Sequence, residues 1–338
     1  MSRPTSRPTS GPTGLYRPSL ALATDLYQLT MAQGYWRHGL AERRATFHLF
    51  YRQAPFGGQL AVAAGIAPAI DLVAGARFEA DDLAWLATLP GADGRPLFAS
   101  DFLGFLRDAR FTLDIDAVDE GTPVFPHAPL MRVTGPLWAA QVAETALLNV
   151  VNFQSLIATK AARIVRAAGG DPVLEFGLRR AQGLDGGLAA SRAAVLGGCA
   201  GTSNVLAARL YDLPVRGTHA HSWVMAHDDE LTAFQAYADA MPNNVVLLVD
   251  TYDTLDGVRH AVTVGQALKA RGHRLLGVRL DSGDLAGLAR AARGILDAGG
   301  LPDAKIVASN DLDEHRITAL KAAGAPIDVW GVGTRLVT

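Results

Sequence analysis

Leu275-Leu276-Gly277-Val278-Arg279-Leu280-Asp281-Ser282-Gly283-Asp284 is a short apolar run that stops abruptly in acidic and small polar residues, and a helical pattern follows it. The same design recurs. Val245 to Val249 ends in Asp250-Thr251, Ile306-Val307-Ala308 in Ser309-Asn310-Asp311, and Val329-Trp330 in Gly331-Val332-Gly333-Thr334. These runs are about thirty residues apart with a helical pattern between each pair, the signature of βαβ units. Upstream, Val173-Leu174-Glu175-Phe176 runs into Gly177-Leu178-Arg179-Arg180, and Val195-Leu196 into Gly197-Gly198, with a helix expected to start at Thr202 or Ser203. Continuous apolar strands imply a parallel sheet covered on both faces or closed into a barrel. Functional groups then belong at the strands' carboxyl ends, where the polar residues stand.

Arg279 lies on a strand between Val278 and Leu280, where a charge is costly unless it meets an acid or an anionic ligand. The ligand is the favoured partner. Arg179 and Arg180 pose the same question, and Glu175 offers a structural partner to one of them. Asp281 can face the site while the amides after it, at Ser282 and Gly283, accept phosphate; Ser282 or Asp284 can equally cap the next helix. Gly331, Gly333 and Thr334 suit a phosphate-cradling nest or an ordinary tight turn. In Arg216-Gly217-Thr218-His219-Ala220-His221-Ser222 an extended backbone would send both histidines from one face. The plain alternative is one satisfied core histidine and one surface histidine.

The 338 residues suffice for two domains or a barrel with an extension, and 49% hydrophobic against 19% charged residues supplies a large core. A net charge of −2 argues against a broad nucleic-acid surface. The single cysteine, Cys199, excludes an internal disulfide and a Cys-rich zinc site. No apolar run approaches a membrane span, and the Ser-Arg-Pro-Thr repeat of the first residues lacks a signal-peptide core, so a soluble cytoplasmic protein is expected. Residues 1–19 read as a disordered tail, 20–150 as an α+β domain and 151–338 as the α/β domain. In the first domain Thr24 is expected to cap a helix reaching about His38, with Tyr27 off its apolar stripe. Ala45–Arg52 and Gln59–Ala64 read as paired strands about the Pro55-Phe56-Gly57-Gly58 turn, and two helices are expected between Leu137 and Ala168.

Six segments in order carry a resemblance. Thr24-Asp25-Leu26-Tyr27-Gln28-Leu29-Thr30-Met31, Pro55-Phe56-Gly57-Gly58 and Glu175 to Gly183 are similar to nicotinate phosphoribosyltransferases; so are Gly217 to Ser222, Arg279 to Asp284 and Gly331 to Thr334. The resemblance implies an irregular α/β barrel of the type II phosphoribosyltransferase kind with an N-terminal α+β domain, usually a homodimer with shared active sites. It implies transfer of phosphoribosyl from 5-phosphoribosyl 1-diphosphate to nicotinate in NAD salvage, with Mg(2+), and with ATP hydrolysis coupled through a phosphohistidine. By motif the phosphorylated residue is His221, and Asp281 joins it in catalysis. Tyr27, Arg179, Ser203, Thr218 and Arg279 are the implied substrate-binding residues, Tyr27 serving the other subunit's site, while Ser282, Gly283, Gly331, Gly333 and Thr334 fall on phosphate-binding positions. Metal ligands are not implied. Family members continue past the position of Thr338, so this α/β domain is expected to be C-terminally incomplete.

Three alternatives compete. A metal-dependent hydrolase on a barrel is the first, since His219-Ala220-His221 mimics a two-histidine metal motif, but His273 precedes its strand, and His260 and His315 lie in helical patterns. A non-catalytic truncated paralogue would bind without turnover. A nicotinamide-using relative would place an aspartate where Ser203 stands; a carboxylate there repels nicotinate, so Ser203 favours the acid.

Overall fold

The structure is a computed structural model that describes residues 19–338. It forms two compact units, and the division falls between Thr159 and Lys160.

The first unit contains α1 (Leu26–Arg37), β1 (Arg44–Leu49), β2 (Ala61–Val62), α2 (Ile66–Gly75), α3 (Ala80–Leu86), α4 (Ser100–Asp108), β3 (Asp114–Ala117), β4 (Pro123–Val124), β5 (Met131–Pro136) and most of α5 (Leu137–Ala168). Strand β5 lies between β1 and β3 in an antiparallel sheet. One apolar cluster gathers Leu86, Phe98, Phe102, Leu106 and Trp138; a second gathers Ile66, Val73, Met131, Val133 and Leu147.

Three local expectations change here. The stretch from Leu137 to Ala168 is one helix of 32 residues; it holds no glycine or proline to interrupt it and is rich in strong helix formers. Thr24 does not cap α1. Asp25 occupies that position without a side-chain cap, and the Thr24 hydroxyl donates to the Val142 carbonyl at 2.9 Å. The expected hairpin is absent: β1 pairs with β5, and β2 with β4. The Tyr51 hydroxyl donates to the Val124 carbonyl (2.5 Å) and accepts from the Ala61 amide (3.1 Å), which turns the returning segment onto β4.

The second unit is built on β6 (Val173–Glu175), α6 (Gly183–Leu196), β7 (Gly201–Thr202), α7 (Val205–Tyr211), α8 (His221–Met225), α9 (Glu230–Ala240), β8 (Val246–Leu248), α10 (Thr254–Ala270), β9 (Gly277–Leu280), α11 (Leu285–Ala298), β10 (Lys305–Ala308), α12 (Glu314–Ala322), β11 (Val329–Val332) and α13 (Thr334–Val337). Its six strands run parallel in the order β7-β6-β11-β10-β9-β8. That order is the chain order wrapped round a ring, with the gap between β7 and β8. The segment 214–219 fills the gap. Thr202 donates its amide to the Pro214 carbonyl (3.0 Å), and Arg216 returns its amide to the Thr202 carbonyl (2.9 Å). On the other side the Leu248 amide donates to the His219 imidazole Nε2 at 3.1 Å. The result is an irregular α/β barrel.

Leu247, Leu248, Val249, Val278, Leu280, Ile306, Ala308, Trp330 and Val332 are fully buried, as parallel strands covered on both faces require. Side-chain caps start the outer helices: Asn204 for α7, Asp253 for α10, Asp284 for α11 and Asp313 for α12. Helix α7 therefore starts after Asn204 rather than at Thr202 or Ser203, because Thr202 is taken up in β7. At the strand end of β9, Asp284 and not Ser282 is the cap.

Glu314 ties α12 to the end of α5. Burial works against its ionisation, but bonds from Lys160 (2.6 Å) and Arg163 (2.9 Å) hold its carboxyl down at about 2. A carboxyl depressed in the folded state stabilises above its unfolded value of about 4.3, and that contribution is lost as pH falls toward 2. Glu314→Gln should cost about 2–3 kcal/mol at neutral pH. Chemical denaturation should show the difference from the unmodified chain shrinking between about pH 4.5 and 2.

Candidate active site

The carboxyl ends of the barrel strands converge on one polar centre. Arg279 sits on β9, opposite Leu248 on one neighbour and Val307 on the other. Its Nη1 donates to the Thr218 hydroxyl at 2.8 Å, while its Nε is buried and makes no hydrogen bond among the described residues. Burial lowers the Arg279 pKa; the Asp281 and Asp250 carboxylates oppose this, and the Arg179 guanidinium adds to it. Two guanidiniums near enough to repel, one holding an unpaired buried donor, make a place that an anion would satisfy.

The acids beside them are tied into the strand ends. Asp250 Oδ2 accepts from the Asp281 amide (2.8 Å) and the Ser282 hydroxyl (2.6 Å), and its Oδ1 is buried without a hydrogen bond among the described residues. Asp281 Oδ1 accepts a short hydrogen bond from the Ser309 hydroxyl. Ser282 and Gly283 are exposed, and Gly283 takes a positive φ of 73° at the turn into α11.

The two histidines part company. Ala220 is extended, but His221 opens the short helix α8, so no strand alternation carries both rings to one side. His219 is buried against Phe234 and Tyr237, with ring centroids 6.0 and 4.8 Å away. Burial pulls its pKa down to about 4, with the Arg279 and His221 charges adding to the effect against the Ala220 hydrogen bond. The ring is therefore neutral near pH 7. His221 is half-buried; its Nδ1 lies 3.1 Å from the Thr251 hydroxyl and its Nε2 3.8 Å from Asp281 Oδ2. The reading of one core and one accessible histidine holds for burial. The two-histidine metal motif loses its first ligand, because the His219 Nε2 lone pair already accepts from Leu248.

Glu175 does not pair with Arg179 or Arg180. Both its oxygens are used by nearer donors: the Gly177 amide in a short bond, the Ser191 hydroxyl (2.8 Å) and the Thr202 hydroxyl (2.5 Å). The completely buried carboxylate thus locks β6 to β7, and both arginines remain exposed. Ser203 follows β7, half-buried, its amide donating to the Glu175 carbonyl. At β11, a Cβ on Gly331 would stand 2.8 Å from the Phe176 ring, so glycine is needed for close approach. Gly333 and Thr334 lie at the start of the four-residue helix α13. Tyr27 lies on α1 in the first unit and is 50% exposed.

Asp250, Thr251 and Ser309 were visible in the sequence only as strand ends. Nothing there singled them out as partners of Asp281 and His221, because those contacts cross between strands about thirty residues apart.

A barrel of six parallel strands thus gathers cationic, hydroxyl and carboxylate groups at its carboxyl ends. Comparison with known proteins makes this specific. Residues 22–152 match the nicotinate phosphoribosyltransferase (NAPRTase) N-terminal domain, and residues 172–338 match the nicotinate phosphoribosyltransferase (NAPRTase) family. The chain is 49% identical over 326 residues to the nicotinate phosphoribosyltransferase of Bacillus subtilis, covering 96% of this chain and 65% of that protein. It is 47% identical to nicotinate phosphoribosyltransferase pncB2 of Mycobacterium tuberculosis, covering 94% of this chain and 66% of the relative. The crystal structure of human nicotinic acid phosphoribosyltransferase superposes with a TM-score of 0.85 at 37% identity, over 92% of this chain and 72% of that one. The chain belongs to the nicotinate phosphoribosyltransferase family and spans about two thirds of the length of these bacterial relatives.

If the Arg279 corner is a carboxylate site, nicotinate should stabilise the chain. Nicotinate at a hundred times its dissociation constant should add about 2.7 kcal/mol. A thermal melt should shift upward with nicotinate for the unmodified chain and hardly at all for Arg279→Ala.

Proposed function

We propose that this chain transfers phosphoribosyl from 5-phosphoribosyl 1-diphosphate to nicotinate, forming nicotinate mononucleotide and diphosphate in NAD salvage, coupled to ATP hydrolysis. The observation that carries this reading is Arg279, held by Thr218 with a buried unpaired Nε beside Arg179. Nicotinate, the ribosyl donor and ATP are all anions, and planar guanidiniums pair well with carboxylate and phosphate. The pyridine nitrogen attacks ribose C1, and the C1–O bond breaks with its electrons leaving on diphosphate. Thr218 and Arg279 hold the nicotinate carboxylate; Ser203 adds no negative charge to oppose it. Arg179 serves the ribosyl donor or the base. Asp281 stands where positive charge develops on the ribose. Ser282, Gly283, Gly331, Gly333 and Thr334 offer amides and hydroxyls to the phosphates.

In the coupled step a His221 nitrogen attacks the ATP γ-phosphorus. A P–N bond forms, the P–O bond to ADP breaks, and water later hydrolyses the phosphohistidine to phosphate. Thr251 bonds Nδ1, which leaves Nε2 as the ring nitrogen without a hydrogen bond. The oxygen-only set of Asp250, Asp281, Ser282 and Ser309, with the orphaned Asp250 Oδ1, fits a hard cation such as Mg(2+). Asp250 and Asp281 would hold it, and it would neutralise charge on the leaving diphosphate. We place this activity in the cytoplasm, in a homodimer to which Tyr27 contributes across the interface.

The test is a product assay with nicotinate, 5-phosphoribosyl 1-diphosphate, magnesium and ATP, with nicotinamide as the control base. Nicotinate mononucleotide should form and the nicotinamide product should not. Arg279→Ala should lower kcat/KM for nicotinate by about 10- to 150-fold, the loss of a charge-assisted hydrogen bond of about 1.5–3 kcal/mol. An unmodified chain that binds these substrates without turnover would favour the non-catalytic reading.

Tyr27's place in a neighbouring site has its own check. Mixing inactive Tyr27→Ala with inactive His221→Ala chains should restore activity in mixed dimers. No recovery after demonstrated subunit exchange would count against shared sites.

A further inference from the structure

His219 belongs to no step of that mechanism, yet it is buried at the mouth of the barrel. Strand β8 has β9 on one side only: the Val249 amide donates to the Arg279 carbonyl at 3.2 Å. Amides alternate in direction along a strand, so the Leu248 amide faces the open edge, where no strand among the described residues supplies a carbonyl. An unpaired amide buried there would be costly. The His219 ring supplies the acceptor: Nε2 stands 3.1 Å from the Leu248 nitrogen. A backbone amide can only donate, so Nε2 carries the lone pair and Nδ1 the proton, which points to the Ala220 carbonyl at 3.3 Å. Phe234 and Tyr237 of α9 fix the plane of the ring. Thr218, directly before it, accepts from Arg279, and His221, two residues after it, meets Thr251 and Asp281.

We propose that His219 is a positioning residue, a side-chain clasp on the open edge of β8 that sets where Thr218 and His221 stand. It replaces a strand-to-strand hydrogen bond and so closes the barrel in the gap between β7 and β8. Its action on His221 rests on the phosphoryl-accepting role given to that residue above. Its action on Leu248 does not.

The experiment uses the full chain with two substitutions. His219→Gln reaches as far as the imidazole and keeps an acceptor oxygen; His219→Phe keeps the ring against α9 and removes the acceptor. Nitrogen-15 NMR of the unmodified imidazole should show Nε2 unprotonated and Nδ1 protonated, with the Leu248 amide protected from solvent exchange. The rate of acid-labile label transfer from γ-labelled ATP, per mole of folded protein, should fall about tenfold in His219→Phe, as expected for a displaced reacting group. The apparent KM for ATP should change less than about twofold, and His219→Gln should recover most of the rate. A core residue with no positioning role would lower the melting temperature of both variants and leave the rate per folded molecule unchanged. That result, or a protonated Nε2 in the unmodified chain, overturns the proposal, and the NMR arm decides even if His219→Phe does not fold. An unmodified chain with the expected tautomer but no label would overturn the phosphohistidine role of His221 and the positioning with it, while retaining the clasp on β8.

Discussion

A parallel barrel must satisfy the amides on every strand edge, and here that demand falls on segment 214–219. Five of the strand pairings are ordinary parallel ladders. The gap between β7 and β8 is bridged differently on its two sides, by main-chain bonds to Thr202 and by an imidazole to Leu248. A side chain in the place of a ladder carbonyl frees the backbone beyond it. The chain can then leave the sheet, turn at Ala220 and start α8 with His221 in hand. The position of the accessible histidine is thus a consequence of how the barrel closes.

The same end of the barrel keeps charge out of balance. Glu175 could have neutralised an arginine, but it is buried and engaged by an amide and two hydroxyls. Its charge and the surrounding burial push the Cys199 thiol up to about 12, burial being the larger cause, so that cysteine is inert as a nucleophile. Asp250 is spent on the β9 turn and Asp281 partly on Ser309. The acids fix backbone and hydroxyls, and the buried Arg279 Nε has no hydrogen bond among the described residues. Asn310 and Asp311, both at positive φ after β10, show backbone strain at the same end, as functional sites commonly do.

Much of this was legible in the chain. The thirty-residue rhythm of apolar runs gave parallel strands, and the polar residues after each run gave the end of the barrel where charge gathers, because a strand buried on both faces carries most of its charge where it emerges. Asp284 was one of the two residues read as a cap after β9, and it caps α11. Expectations went astray where a partner lay far off in sequence. Thr24 found a carbonyl more than a hundred residues away, and β1 chose β5 over the nearer segment. Local pattern specifies a strand or a cap but not which distant edge will meet it.

The amino-acid order by itself determined the class of fold, the family and the residue types that gather at the strand ends, since these follow from periodicity, burial of apolar runs and six motifs in register. Which histidine is buried and which is accessible, which nitrogen of His219 holds the lone pair, and which acid serves Asp281 rather than Arg279 were decided only in three dimensions. The two histidines differ in sequence by a single step of two residues. They differ in the folded chain because one of them meets an unpaired amide from a strand thirty residues later, and a buried donor takes the nearest acceptor that geometry allows.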